Sequence, residues 1–189
     1  PSDDATRDAF IDAFGLRAYR RPLTGEQTGR LAELFDAGAT HFPAVDPHVA
    51  GVRLVVSAML QSPYFLYRVE LSATPAAGED GLIEVDDYEL ASRLSYLIWG
   101  SMPDDALFAA AAEGLGEERL TAQATRMFDD PRAVDMFQGF HDEHFNMTSW
   151  SDIVKEEVVF PNWRPGLGED MLRETRALLA DVVENNGNF

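Results

Sequence analysis

Apolar residues recur at intervals of three and four along most of this chain, and this spacing limits the fold more than any other feature of the sequence. The run from Val52 through Val56 to Met59 is one example. Such spacing places side chains on one face of an α-helix, whereas a strand would alternate. Helices of this kind are stable when their apolar faces bury one another. We therefore predict an all-α fold, an orthogonal array of about seven to nine helices without a substantial sheet.

Short local signals mark where several helices begin or end. Thr24 is followed three residues later by Gln27, which is typical of a capping box. The dipeptides Asp46-Pro47 and Asp130-Pro131 each combine a helix cap with a proline at the first helical position. Gly38 is predicted to end the second helix, because glycine is common just after a helix C-terminus.

One segment interrupts the helical pattern and suggests a domain boundary. Residues 72–81 (SATPAAGEDG) contain small residues, a proline and two glycines, which is typical of a linker. We predict a helical segment over residues 1–71, a linker over 72–81 and a helical domain over 82–189. Residues 82–85 are expected to be extended without forming a strand of a sheet. Because no initiating methionine or signal peptide is present, we interpret the chain as a piece of a longer protein.

The charge and composition exclude several classes of partner. The net charge is −18 at pH 7, so the surface repels nucleic acid and anionic membranes. The apolar runs are far shorter than the roughly 18 residues that a membrane helix needs, so we expect no membrane insertion. The chain has no cysteine, which excludes disulfides, thiolate metal sites and covalent haem attachment within these residues.

Four motifs resemble a pair of bacterial domains. Residues 17–24 (RAYRRPLT) are similar to the signature of the domain of unknown function numbered 1595. The other three motifs resemble the domain numbered 1592, which usually follows it; they are residues 62–70 (SPYFLYRVE), 88–104 (YELASRLSYLIWGSMPD) and 127–132 (MFDDPR). The resemblance extends over roughly residues 8 to 185.

The resemblance implies a cellular setting but no catalytic residues. In this family the two domains occur in large extracytoplasmic bacterial proteins, which implies a periplasmic or cell-surface parent. Related members often carry a c-type cytochrome-like domain elsewhere in the chain. We therefore expect no cofactor within these residues, and any haem would belong to a separate domain of the parent. The expected partners are other domains of the same parent chain.

His141 and His144 are a candidate metal site. They lie three residues apart on a predicted helix, so their side chains face the same way, with Asp142 and Glu143 between them. Two imidazoles and a carboxylate would suit zinc, iron or another divalent ion. The metalloprotease spacing His-Glu-x-x-His is absent, so a third ligand would come from elsewhere, with His41, His48 and distant carboxylates as candidates. The alternative is a polar helix face.

The histidine segment also departs from the family pattern. Residues 140–145 (FHDEHF) stand where an apolar and aromatic stretch, often with a tryptophan, is expected from the resemblance. The resemblance therefore gives no support for a metal site shared by the family at these residues.

Four charged residues of the motifs are candidates for structural ion pairs, namely Arg68, Glu70, Arg93 and Asp104. One interpretation is a buried ion-pair network that ties helices together, in which loss of one partner would cost about 3–5 kcal/mol. The other is a site that binds an anion or a carboxylate in a cleft. We favour the network, because core aromatic residues adjoin these positions.

The sequence favours a non-catalytic function, and two alternatives stay open. It contains no glycine-rich phosphate loop and no Gly-x-Ser-x-Gly elbow. We therefore predict a helical scaffold or interaction module of a large extracytoplasmic protein. One alternative is part of an enzyme acting on polysaccharide or in a redox pathway, for which Trp150 and Trp163 in predicted loops would offer a contact surface. The other is a divalent metal-binding domain that uses His141 and His144.

Overall fold

The chain is helical throughout most of its length. The computed structural model describes residues 4–75, 81–156 and 158–184. These residues form ten α-helices and one 3₁₀ helix, which are α1 (Asp4–Tyr19), α2 (Gly25–Asp36), α3 (Gly38–His41), α4 (Pro47–Leu60), α5 (Pro63–Leu66), α6 (Asp87–Trp99), α7 (Asp105–Ala112), α8 (Glu117–Phe128), α9 (Pro131–His144), the 3₁₀ helix Met147–Asp152 and α10 (Leu167–Glu184). The prediction of an all-α fold is confirmed.

The only β-type pairing in the described residues is a single antiparallel bridge. It joins Pro75 and Ile83, and the amide of Glu84 donates to the carbonyl oxygen of Thr74 at 2.7 Å beside it. Residues 82–85 are therefore extended without belonging to a sheet, as expected. The described helices outnumber the predicted seven to nine because α3 and α5 are single turns, which are too short to show a periodic apolar pattern.

The predicted helix starts are confirmed by their capping contacts. The Thr24 hydroxyl accepts from the amide of Gln27, and the Gln27 side chain accepts from the amide of Thr24, which completes a capping box. Asp46 accepts from the two amides that follow Pro47. Asp130 accepts from the amide of Arg132 at 3.0 Å. Each capping contact joins residues two or three positions apart, so it depends little on the rest of the fold.

Gly38 has a different role from the predicted one. Helix α2 ends at Asp36, and Gly38 is the first residue of α3 instead of a left-handed cap. A Cβ atom at residue 38 would lie 2.4 Å from the backbone nitrogen of Gly51 in α4. Glycine is therefore required because two helix backbones approach closely here. A local sequence pattern does not predict such a contact.

The chain divides into two compact units. The first unit is Pro1–Leu97 with Ser101–Thr121, and the second is Ile98–Gly100 with Ala122–Phe189. The linker predicted at 72–81 falls within the span of the first unit, and its residues 76–80 lie outside the described residues. The predicted domain boundary therefore stays a prediction.

In the first unit, helices α1, α2 and α4 pack around a common apolar core. Its buried side chains are Ile11, Ala18, Leu31, Phe35, Val55 and Met59. Each helix turns its apolar face towards the other two. On α4 the core contains Met59 of the predicted run, but its buried valine is Val55, whereas Val52 and Val56 are only partly buried. Burial of side chains this large contributes about 1.5–3 kcal/mol each for the valine, leucine, isoleucine, phenylalanine and methionine.

In the second unit, α9, α10 and the 3₁₀ helix pack together. The Arg176 guanidinium of α10 binds the carboxylate of Asp142 of α9, which is buried. A Cβ atom at Gly168 would lie 2.0 Å from the carbonyl oxygen of Trp150, so α10 begins in close backbone contact with the 3₁₀ helix. None of the described helices has the length and apolarity needed to cross a bilayer.

Candidate functional site

The first unit brings Arg93 and Glu70 together as an ion pair. The Nε and Nη2 atoms of Arg93 donate to the two carboxylate oxygens of Glu70 at 2.5 and 2.7 Å. These hydrogen bonds hold the pKa of the Glu70 carboxyl below its ordinary value. The side chains are 57% and 43% exposed, so the pair lies at the surface and not in the buried network expected from the sequence. Water reaches this pair and weakens its attraction.

Two further arginines of the motifs meet at Tyr96. The guanidinium carbon of Arg68 lies 4.8 Å from the centre of the Tyr96 ring, and that of Arg20 lies 5.9 Å from it. Both distances are within the range of cation–π attraction. The motif at residues 17–24 and the motif at residues 62–70 therefore share one aromatic ring of α6.

Arg20 is the most engaged of these arginines. It is buried, with 6% of its surface exposed, and its backbone is left-handed with φ of 60°. Its guanidinium donates to the carbonyl oxygens of Tyr64 at 2.6 Å, Phe65 at 3.3 Å and Tyr67 at 2.7 Å. These are carbonyls at the end of the short helix α5, which would otherwise lack partners. No sequence pattern predicts this contact, because it joins residues more than forty positions apart.

A buried carboxylate, that of Glu89, binds main-chain amides, whereas Arg20 binds main-chain carbonyls. Glu89 is 5% exposed and accepts hydrogen bonds from the main-chain amides of Leu71, of Ser72 at 3.0 Å and of Asp86 at 3.0 Å. The Asp86 side chain accepts in return from the amide of Glu89 at 2.8 Å. This role of Glu89 was not predicted, although the spacing Asp86-x-x-Glu89 is that of a capping box and was a signal for it.

Asp104 serves as a helix cap. Its carboxylate accepts from the amide of Leu107 at 2.9 Å and begins α7. Its neighbour Asp105 pairs with Arg17 of α1 at 2.7 Å. The motif residues Asp104 and Arg17 therefore help to start and fasten the same helix.

The second unit contains a cluster around Trp99. The indole Nε1 donates to the carbonyl oxygen of Met127 at 2.9 Å, and the ring is 5% exposed. The guanidinium carbons of Arg132 and Arg126 lie 3.5 and 5.4 Å from the ring centre. Arg132 also binds Asp130 through two hydrogen bonds of 2.8 Å. These bonds lower the pKa of Asp130 to about 2.

The histidines lie in a group of five aromatic rings at the end of α9. The Nδ1 atom of His141 is 2.8 Å from the carbonyl oxygen of Phe137, which makes Nδ1 the protonated nitrogen and leaves Nε2 free to accept. His144 stacks on Phe140 at 5.7 Å between ring centres. Among the described residues, no group of three or more histidine, aspartate or glutamate side chains is arranged to hold a metal ion.

The other two histidines lie in the first unit. His41 is exposed at the end of α3, and the ring of His48 packs edge-on against Phe35 at 5.3 Å. Both were candidate third ligands for a metal at His141 and His144. Binding at the histidine pair through these two residues stays a prediction.

Two segments of the chain match known protein families. Residues 6–70 match the family described as PSD5, a protein of unknown function (DUF1595). Residues 85–189, more than half of the chain, match the family described as PSD4, a protein of unknown function (DUF1592). The chain belongs to the DUF1592 family. The resemblance and the order of the two domains predicted from the motifs are confirmed, and neither curated proteins nor solved structures give a match.

Within the DUF1592 segment, three polar side chains of α6 bind main-chain atoms. Asp87 accepts from the amide of Leu115 at 2.6 Å, and the buried Ser95 donates to the carbonyl oxygen of Ser101 at 2.8 Å. Glu89 is the third. Such contacts hold loops against a helix, because each replaces a hydrogen bond that water would otherwise make.

Proposed function

We propose that this chain is a non-catalytic helical scaffold and interaction module of a larger extracytoplasmic bacterial protein. One observation carries the proposal: polar side chains of the family motifs bind main-chain atoms of their own unit. Arg20, Glu89 and Trp99 all do so while nearly fully buried. Groups used in this way fix the positions of loops and helix ends.

The geometry of Arg20 supports a structural use over ligand binding. Its two terminal nitrogens donate to three carbonyl oxygens, so few of its five N–H groups remain for any other partner. A buried guanidinium also needs such partners to offset the loss of water. An arginine that served a substrate would keep donors directed at solvent.

Exposed apolar side chains support the interaction part of the proposal. Several large ones in the second unit are more than half exposed, among them Phe128, Phe140, Phe145, Val154, Val158, Val159 and Leu178. Groups of exposed apolar side chains often mark contact surfaces for other proteins. Other domains of the parent chain are the proposed partners, because the family resemblance implies a large parent protein with further domains.

The proposed location is the periplasm or the cell surface, and it rests on the family resemblance alone. A haem, where the parent carries one, would belong to a separate domain. Fractionation of cells that express the full-length parent tests the location, and recovery of the parent in the cytoplasm would overturn it.

The structural role is tested by the substitution Glu89→Gln. The amide would present N–H groups to main-chain donors, so we expect the free energy of unfolding to fall by about 1–3 kcal/mol. Chemical denaturation followed by circular dichroism measures it. The control is Glu84→Gln, because Glu84 is exposed and should change stability little. Equal stabilities of the two variants would contradict the proposal.

Metal binding at His141 and His144 is a second candidate. It is favoured by the hydrogen bond of the His141 Nδ1 atom to a carbonyl, since metal-binding histidines usually donate their other nitrogen in this way. Elemental analysis of the purified protein, with His144→Ala as control, tests it. Stoichiometric zinc or another divalent ion that is lost in the variant supports the site, and no bound ion overturns it.

A further inference from the structure

The end of helix α9 carries a continuous aromatic surface. The rings of Phe137 and His141 are 4.1 Å apart between centres, and Phe140 contacts both His141 at 5.1 Å and His144 at 5.7 Å. Phe145 extends the group, with its centre 4.9 Å from that of His144. We name these five residues the α9 aromatic surface.

Part of this surface faces solvent. Phe140 is 55% and Phe145 is 52% exposed. On the same helix Asp142 is buried by its contact with Arg176 of α10. Two residues correspond to about 200° of rotation around a helix, so Phe140 points away from the side that packs against α10. More than half of the surface of Phe140 and of Phe145 is therefore accessible to a partner.

The charges around these rings indicate what kind of partner fits. Glu143, three residues from Phe140 on α9, is exposed, and the chain as a whole carries a net charge of −18. A second copy of the chain would bring the same negative charge and be repelled at low salt. A basic partner would instead be attracted, and its cations would also be favoured near the faces of phenylalanine rings.

We propose that the α9 aromatic surface docks an amphipathic helix of a partner protein whose apolar face is bordered by lysine and arginine. The inference rests on the proposed role of the chain as an interaction module and names the chemistry of its partner. The apolar face of such a helix covers Phe140 and Phe145, and its basic border lies against Glu143.

The test uses two synthetic 18-residue helical peptides, one of leucine and lysine and one of leucine and glutamate. Calorimetric titration of the whole chain at physiological salt, with a chelator present to remove metals, should show binding of the lysine peptide and not of the glutamate peptide. Phe140→Ala should weaken the binding of the lysine peptide about tenfold, as expected for a central aromatic contact.

The matched control is Phe128→Ala. Phe128 is 67% exposed in α8 and also belongs to the second unit, but it is not part of the α9 aromatic surface. We expect this variant to bind the lysine peptide as the unsubstituted chain does. Circular dichroism should show that both variants keep their helices.

Three outcomes would overturn the proposal. Unchanged binding after Phe140→Ala would mean that the lysine peptide is held by charge alone. Equal binding of the glutamate peptide would remove the basic requirement. A dimer in sedimentation that Phe140→Ala dissociates would make a second copy the occupant. None of these outcomes depends on Glu89, so failure here and failure of the proposed structural role are separate results.

Discussion

Trp99 and Met127 are joined by a hydrogen bond from the indole Nε1 to the main-chain carbonyl oxygen, at 2.9 Å. The bond connects the end of α6 to the last turn of α8, and both residues are nearly or fully buried. The guanidinium carbon of Arg132 lies 3.5 Å from the centre of the Trp99 ring. The tryptophan and the motif at residues 127–132, which are distant in sequence, therefore form one contact.

Trp99→Phe should destabilise the second unit. The phenylalanine ring cannot donate, so the buried carbonyl of Met127 would lose its partner, at about 1–3 kcal/mol. Urea denaturation should show a lower midpoint. Trp163→Phe is the control, because Trp163 lies in a loop and is only partly buried. An unchanged midpoint for Trp99→Phe would contradict the role of the hydrogen bond.

Asp130 should make the stability of the second unit fall in acid. Arg132 lowers the pKa of Asp130 to about 2 from the ordinary 3.8, so the folded state favours the ionised carboxylate. A depressed carboxyl pKa adds stability above about pH 4, and this contribution is lost as the pH falls towards 2. Thermal denaturation across this range should show the loss.

The Asp130→Asn variant isolates that contribution. Asparagine caps helices about as well as aspartate, so the start of α9 should be kept. The variant should be less stable than the unsubstituted chain at pH 6, and the difference should narrow near pH 2. A difference that is constant with pH would assign the effect to the cap and not to the charge.

Gly168→Ala and Gly139→Ala should change stability in opposite directions. A Cβ atom at residue 168 would lie 2.0 Å from the Trp150 carbonyl oxygen, and we expect a loss of about 1–3 kcal/mol. Gly139 lies inside α9 with nothing within 4 Å of an added Cβ atom. Alanine there should stabilise the helix by about 0.5–1 kcal/mol. Denaturation midpoints that shift in the same direction would contradict this packing.

Arg93→Ala and Arg176→Ala should also differ. From the sequence alone, loss of Arg93 was expected to lower the melting temperature sharply, but its ion pair with Glu70 is exposed. We now expect a small change, because exposed pairs contribute little. Arg176→Ala would leave the buried Asp142 without its partner, at about 1–3 kcal/mol or more. Calorimetric melting compares the two, and a larger loss for Arg93→Ala would contradict the structure.

The sequence predicted those features that depend on neighbouring residues. The caps at Thr24, Asp46 and Asp130 were predicted because a helix start is determined within one turn of chain. The three-and-four spacing placed Val52, Val56 and Met59 on one face of α4, and Met59 lies in the core with Val52 packed against it. The buried Val55 was not part of that predicted face, and Val56 is only partly buried.

Features that depend on distant residues were not predicted. The contact of Arg20 with the end of α5 and that of Glu89 with residues 71 and 72 join segments whose closeness is a result of the fold. The exposure of Arg93 and Glu70 was missed for a related reason. Charged residues that adjoin aromatic residues give the same sequence pattern whether the fold places them in the interior or at the surface.

Arg20 recognises main-chain carbonyls, which every amino acid carries, and no side chain of its three partners takes part. Substitutions at positions 64, 65 and 67 are therefore compatible with the same hydrogen bonds between Arg20, which follows α1, and the segment after α4. Loss of the single guanidinium, by contrast, would release three acceptors at once. Distant relatives that keep these hydrogen bonds should retain the arginine even where the aromatic residues at positions 64, 65 and 67 differ.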